Sequence, residues 1–131
     1  MSLLTEKFTK SERLCSRKAI GRLFEDGHEV FLYPFRLLWN YAENDNCSQV
    51  RVMIAVPRKK IRKAVHRNRV KRLIREAYRR NKHILYENHR FSDRNIEMVI
   101  IYVSGSIHNY DHINLRLVEL LKRLISADEI S

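Results

Sequence analysis

The sequence predicts a small α+β domain, an α/β sandwich in which helices pack on one sheet. Three observations predict it. Apolar residues recur at helical spacing in three segments. Two or three short β-prone runs lie between the first and second of these, and one strongly apolar run lies between the second and third. The chain has 131 residues, enough for one core but small for two, so residues 1–131 are expected to form a single domain.

Each element has a local reason. Ser16 can cap a short helix whose apolar side is Ala19, Ile20, Leu23 and Phe24, and Gly27 stands just past its end. Val30 to Tyr33 is β-prone, and Pro34 predicts an edge position or a break. Phe35 to Tyr41 alternates, with Phe35, Leu37, Trp39 and Tyr41 pointing one way and Arg36, Leu38 and Asn40 the other. The polar stretch Glu43 to Gln49 reads as a hairpin turn into a second strand, Val50 to Val56, which Pro57 ends. A long helix is expected from about Ile61 to about Tyr86, then a polar loop, Glu87 to Asn95. Ile96 to Val103 is strongly apolar and is expected at the centre of the sheet. Asp111 can cap a last helix with Ile113, Leu117, Leu120, Leu121 and Leu124 on its apolar side.

Composition narrows the function. At 44% apolar residues the chain can build a core, which excludes wholesale disorder. No apolar run approaches the ~20 residues that span a bilayer, and Met1 to Lys10 lacks the apolar stretch of a secretory signal. Cys15 and Cys47 cannot form a disulfide framework, so reduced thiols in a cytoplasmic protein are the simplest reading. With 3 glycines there is no Gly-rich phosphate loop.

The net charge of +11 is concentrated. Arg58 to Arg80 holds 12 basic residues and one acid, Glu76, whereas the other 108 residues hold 14 of each sign. Such a cluster repels itself unless an anion neutralises it. Nucleic acid is the leading partner, an acidic membrane surface the second, and a solvated helix face the bland alternative. At ~100° per residue, Val70, Leu73, Ile74 and Ala77 form an apolar stripe, extended by Ile84 and Leu85. Asn68, Arg72, Arg75 and Arg79 line the opposite side, flanked by Lys71 and Lys82, with Arg67 at the border of the apolar stripe. The arginine fork suits phosphate because it donates two parallel hydrogen bonds. Asn68 can donate to a phosphate, read a base or ribose edge, or be an exposed residue of no consequence. Before the helix, Arg58, Lys59, Lys60, Arg62 and Lys63 crowd a six-residue turn whose helix-terminal N–H groups can add to an anion site.

The run Lys63-Ala64-Val65-His66-Arg67-Asn68-Arg69-Val70-Lys71-Arg72-Leu73-Ile74-Arg75-Glu76-Ala77-Tyr78-Arg79 resembles the signature helix of the bacterial ribonuclease P protein family, with its Arg-Asn-Arg core followed by Lys-Arg-Leu-Ile-Arg-Glu. Arg51 to Lys60 resembles the family's preceding strand and Lys-Lys turn, and Arg13-Leu14 with Ile20, Leu23-Phe24 and Gly27 resembles its first helix. The likeness runs from about Phe8 to Ile125. It implies the order α-β-β-β-α-β-α, a four-stranded sheet and a left-handed β-α-β crossover, against the usual preference. It implies the protein subunit of a ribonucleoprotein endonuclease: a catalytic RNA and its Mg²⁺ ions remove the 5′ leader of precursor tRNA, with no obligate protein partner and no membrane. It also implies that Arg58, Lys59, Lys60, Arg62, Lys63, Arg67, Asn68, Arg69, Lys71, Arg72, Arg75 and Arg79 face RNA. A cleft between the first helix and the sheet, bordered by Ile20, Phe24, Phe35 and Leu38, would hold the single-stranded leader. The family favours aromatics where Ile20 and Leu38 stand, and packing into the core is the plainer role for Ile20, Phe24 and Phe35.

No catalytic residues are signalled on the chain itself. His108 and His112 are four apart, a zinc-chelating spacing on a helix, but no third ligand accompanies them. Glu76 stands alone among cations, where pairing with arginine is a better expectation than general-base work. The basic segment has no carboxylate cluster such as a protein-only metal nuclease needs. A non-catalytic RNA-binding protein, such as a ribosomal protein or assembly factor, has the same composition. A sequence-specific DNA-binding protein is more distant, since no helix-turn-helix or zinc-finger spacing is present.

Overall fold

The computed structural model describes residues 8, 12–42, 50–87 and 95–130. Its elements are α1 (Arg17–Asp26), β1 (His28–Leu32), β2 (Phe35–Tyr41), β3 (Val50–Ala55), α2 (Ala64–Asn81), α3 (His83–Tyr86), β4 (Ile96–Tyr102) and α4 (Tyr110–Ile130). The four strands form one mixed sheet in the order β1-β2-β4-β3. Apart from the extra short helix α3, this is the predicted order of elements.

The sheet follows from β4. All seven of its residues are buried, so it needs cover on both faces and partners on both edges. β2 pairs with it antiparallel and β3 parallel. The predicted hairpin between Phe35–Tyr41 and the next strand therefore does not form, because β4 lies between the two strands; the turn residues 43–49 fall outside the described residues. A hairpin does join β1 to β2 through Tyr33-Pro34, whose peptide bond is cis. Most of the predicted loop, residues 88–94, also falls outside the described residues.

Two cores lie on the two faces of the sheet. On one face Phe35, Leu37 and Trp39 of β2 meet Ile96, Met98, Ile100 and Tyr102 of β4, under Val70, Ile74, Ala77 and Tyr78 of α2 and the five predicted apolar residues of α4. On the other, Leu38, Val99 and Ile101 pack beneath Ala19 and Leu23 of α1, with Leu14. The alternation read in β2 is thus real, and it separates its residues between two cores. Truncating any of these large side chains to alanine costs about 2–5 kcal/mol.

Helix boundaries add detail. The Ser16 side chain accepts from the Ala19 N–H at 3.2 Å, as a cap should. Gly27 is not in the left-handed region (φ −67°); its need is space, since a Cβ there would collide with the Leu23 carbonyl. The basic helix begins at Ala64 instead of Ile61. Lys60 and Ile61 N–H groups both bond to the Pro57 carbonyl, and the buried Ile61 side chain anchors that turn in the core. The helix is interrupted at Lys82, where the Leu85 N–H bonds three residues back instead of four. Asn109, not Asp111, caps α4: its side chain accepts from the His112 N–H at 2.9 Å, and Asp111 lies within the first turn.

Lys82 shows why the long helix breaks. Its ammonium lies 2.9 Å from each oxygen of Glu12, and both residues are buried. The Tyr86 hydroxyl donates to the same carboxylate at 3.2 Å. The cluster ties the segment before α1 to the α2–α3 junction. That segment also bonds to the sheet, with the Leu14 N–H donating to the Val52 carbonyl at 3.0 Å beside the Arg13–Val52 bridge.

Candidate nucleic-acid interface

α2 carries two chemistries because its apolar stripe is held on the sheet. Val70, Ile74, Ala77 and Tyr78 are fully buried, which turns Asn68, Arg69, Arg72 and Arg75 to the exposed surface. Arg58, Lys59, Lys60, Arg62 and Lys63 are exposed in the turn before it, and Lys71 is half-buried. Among the described residues, none of these cations has a carboxylate partner within ion-pair distance. The first turn of α2 holds no acidic residue, so the positive end of the helix dipole adds to the cluster uncompensated.

Three predicted members behave differently. Arg67 donates through Nη1 to the carbonyls of Ile61 and Arg62, so part of its fork shapes the basic turn. Arg79 is engaged by Glu76, which Arg80 also meets at 3.2 Å. A hydrogen bond from Arg79, with the charges of Arg79 and Arg80, holds the Glu76 carboxyl below the usual carboxylate range. This is the arginine pairing the sequence predicted, and at an exposed site it is a weak one. Lys82, placed by the helical wheel on the basic flank, points into the protein and belongs to the buried Glu12 cluster.

The second predicted surface lies on the α1 face of the sheet. Leu38 is on that face but buried beneath α1; Ile20 is partly buried beside it, and Phe24 is 54% exposed. Phe35 does not border this surface. Its ring is wholly buried on the opposite face, edge-on to Tyr102, because β2 alternation sends Phe35 and Leu38 to opposite sides. Sequence reasoning missed Phe31, which is 53% exposed and paired with Arg36 across β1 and β2 on the α1 face. The signal was present: Val30 and Leu32 are the inward residues of β1, which leaves Phe31 facing out. On the same face Arg36 meets Glu29 at 2.7 Å, and Arg22 of α1 reaches Glu97 of β4 at 3.6 Å.

His108 and His112 do not share a helix, since α4 begins at Tyr110. Their rings lie 4.5 Å apart, and His108 Nε2 is 3.2 Å from the Ser104 hydroxyl. Burial, then the neighbouring His112, depresses the His108 pKa. Among the described residues no three His, Cys, Asp or Glu side chains converge in a way that could hold a metal ion. No described helix is long and apolar enough to cross a membrane.

Comparison with known proteins gives a consistent picture. A family model described as Ribonuclease P matches residues 8–125. The ribonuclease P protein component of Porphyromonas gingivalis is 39% identical over 95 residues, covering 72% of this chain and 68% of that protein. That of Chlorobaculum tepidum is 31% identical over 137 aligned positions, covering 95% and 89%. Among solved structures, the RNase P protein from Thermotoga maritima has a TM-score of 0.67 at 28% identity, over 86% of this chain and 96% of that one. The Staphylococcus aureus RNase P protein shares the fold, with a TM-score of 0.70 at 23% identity over 88% and 96%.

Proposed function

The chain belongs to the ribonuclease P protein family, and from that premise we propose that it docks on a catalytic RNA and helps remove the 5′ leader of precursor tRNA. Family membership makes it the protein component of a ribonucleoprotein that processes tRNA, with RNA as its partner. The finer reading concerns which surface does what. The observation that carries it is the block of cations from Arg58 to Arg75 on α2 and the turn before it, which among the described residues has no carboxylate within ion-pair distance, beside a helix terminus with no acid.

In this reading Arg58, Lys59, Lys60, Arg62, Lys63, Asn68, Arg69, Lys71, Arg72 and Arg75 lie along the phosphates of the catalytic RNA. Each phosphate they neutralise is one that Mg²⁺ need not screen, so the complex works at lower Mg²⁺ than the RNA alone. A surface of arginine and lysine repels a free cation. Mg²⁺ would be held mainly by the RNA, where it would supply charge stabilisation for phosphodiester hydrolysis. Arg67 positions the basic turn. The exposed Phe24, with Ile20 beside it, offers a stacking face to the unpaired leader.

Reconstitution tests this. The purified chain is mixed with a bacterial ribonuclease P RNA and a precursor tRNA labelled in its 5′ leader, at Mg²⁺ too low for the RNA alone. Cleavage in the mixture only is the expected result. Cleavage by the protein alone would reveal a catalytic centre on the chain. No cleavage in any tube, with tight salt-sensitive RNA binding and a cognate RNA tried, would leave a non-catalytic RNA-binding protein.

A further inference from the structure

We infer that His108 is a positioning residue for the basic turn: its neutral imidazole closes the loop that backs Lys60, and protonating it loosens the turn's hold on RNA. The inference rests on RNA being the partner. Parallel pairing makes β3 and β4 leave the sheet at the same end, which brings the basic turn and the loop after β4 together. A Cβ added to Gly105 would stand 3.6 Å from the Lys60 carbonyl, so there is room for no more than a methyl group between loop and turn. The β1–β2 turn joins them, since the Val103 N–H donates to the Pro34 carbonyl at 2.8 Å. Arg67 holds the next two carbonyls of the basic turn, those of Ile61 and Arg62.

The loop is closed at one buried hydroxyl. Ser104 Oγ accepts from the Ser106 N–H at 3.0 Å and from the Tyr33 hydroxyl at 2.9 Å. A hydroxyl has two lone pairs and one proton, so both lone pairs are taken. The proton is left for His108 Nε2 at 3.2 Å or for the Ser106 carbonyl at 3.3 Å, and that carbonyl already accepts from the Tyr102 hydroxyl. His108 Nε2 therefore fits as an acceptor, which requires a neutral ring with its proton on Nδ1. Protonation turns Nε2 into a donor, and three donors then face two lone pairs. One of the contacts that close the loop must break. Among the described residues, the rings around His108 are those of His112 on α4 at 4.5 Å, Tyr33 at 6.2 Å and Tyr102 on β4 at 6.3 Å. Arg116 of α4 donates to the Tyr33 carbonyl at 2.8 Å and adds positive charge to this corner, while Asp111, the acid in the first turn of α4, is exposed and screened by water. Burial, then repulsion from His112, opposes a charge on His108.

The full chain, His108→Gln and Ser104→Ala are titrated with a bacterial ribonuclease P RNA at constant salt, over the pH range where circular dichroism shows each one folded. Glutamine keeps an acceptor for Ser104 and cannot be protonated. From about pH 7.5 to about pH 5.5 the affinity of the parent relative to His108→Gln should fall about fivefold, the worth of roughly one hydrogen bond. The sign separates positioning from simple charge, because a proton gained beside a basic surface otherwise strengthens RNA binding. Ser104→Ala should bind more weakly than the parent at the upper pH and show no such fall. Proton NMR of the His108 ring gives an independent readout: bound RNA should lower its pKa further, since binding and protonation oppose each other reciprocally. Parallel profiles for the parent and His108→Gln, or a His108 pKa that RNA raises, would overturn the inference while leaving RNA docking intact. Absence of RNA binding by every chain at every pH would overturn the docking reading, and the inference with it.

Discussion

Lys82→Met separates a lysine that holds the fold from one that holds RNA. The Lys82 ammonium is 2.9 Å from both Glu12 oxygens, with side-chain exposures of 2% and 7%. Removing it leaves a buried carboxylate without its ammonium, although the Tyr86 hydroxyl still donates to it. Breaking one half of such a pair costs about 3–5 kcal/mol, more than the pair itself is worth, because the remaining charge stays desolvated. For 131 residues the unfolding entropy is about 0.28 kcal/mol/K, so the melting temperature should fall by about 11–18 °C. Adding Glu12→Gln removes the orphaned charge and should restore most of the loss. Circular dichroism melts of the parent, both single variants and the double variant give the coupling directly. RNA affinity, measured at a temperature where all are folded, should not change. A loss under about 1 kcal/mol for Lys82→Met, or a double variant no more stable than Lys82→Met alone, would refute the reasoning. So would weakened RNA binding at unchanged stability, which would return Lys82 to the basic stripe.

Three further outcomes are expected. Arg72→Ala should leave the melt unchanged, because the side chain is exposed, and should reduce the slope of log affinity against log salt by about one, read from filter-binding titrations. Phe24→Ala should shift the melt little, given 54% exposure, yet weaken binding of a precursor with a long leader by about 1–3 kcal/mol relative to mature tRNA. Burial lowers the His108 pKa below 6.5, so the unfolded chain binds the extra proton first; stability should be full above about pH 6.5 and fall as pH drops below it. His108→Gln should flatten that acid limb in urea titrations across pH.

Much of the protein was legible from residue order because its signals are local. The Ser16 cap, the alternation of β2, the strongly apolar run of β4 and the apolar stripe of α4 depend only on near neighbours and on the period of the backbone. The basic face of α2 was legible for the same reason: fixing the apolar stripe on the sheet fixes the opposite side.

What failed depended on partners distant in sequence. Lys82 lies at a position the helical wheel allows to be exposed, and Glu12, 70 residues earlier, draws it inside where the helix is interrupted. The pairing of β2 with β4, in place of β3, is set by the need of β4 for two covered edges, which no turn sequence encodes. Phe35 looked as available as Phe24 because both are aromatic; the fold buries one between sheet and helices and leaves the other half in solvent. The sequence by itself determined the elements, the charge block and the family, since periodicity, composition and a dense motif are properties of order along the chain. Only the tertiary structure decided which cations face outward, which aromatics remain open to a ligand, and where the segment before α1 meets β3, since these are set by burial and by contacts between distant residues.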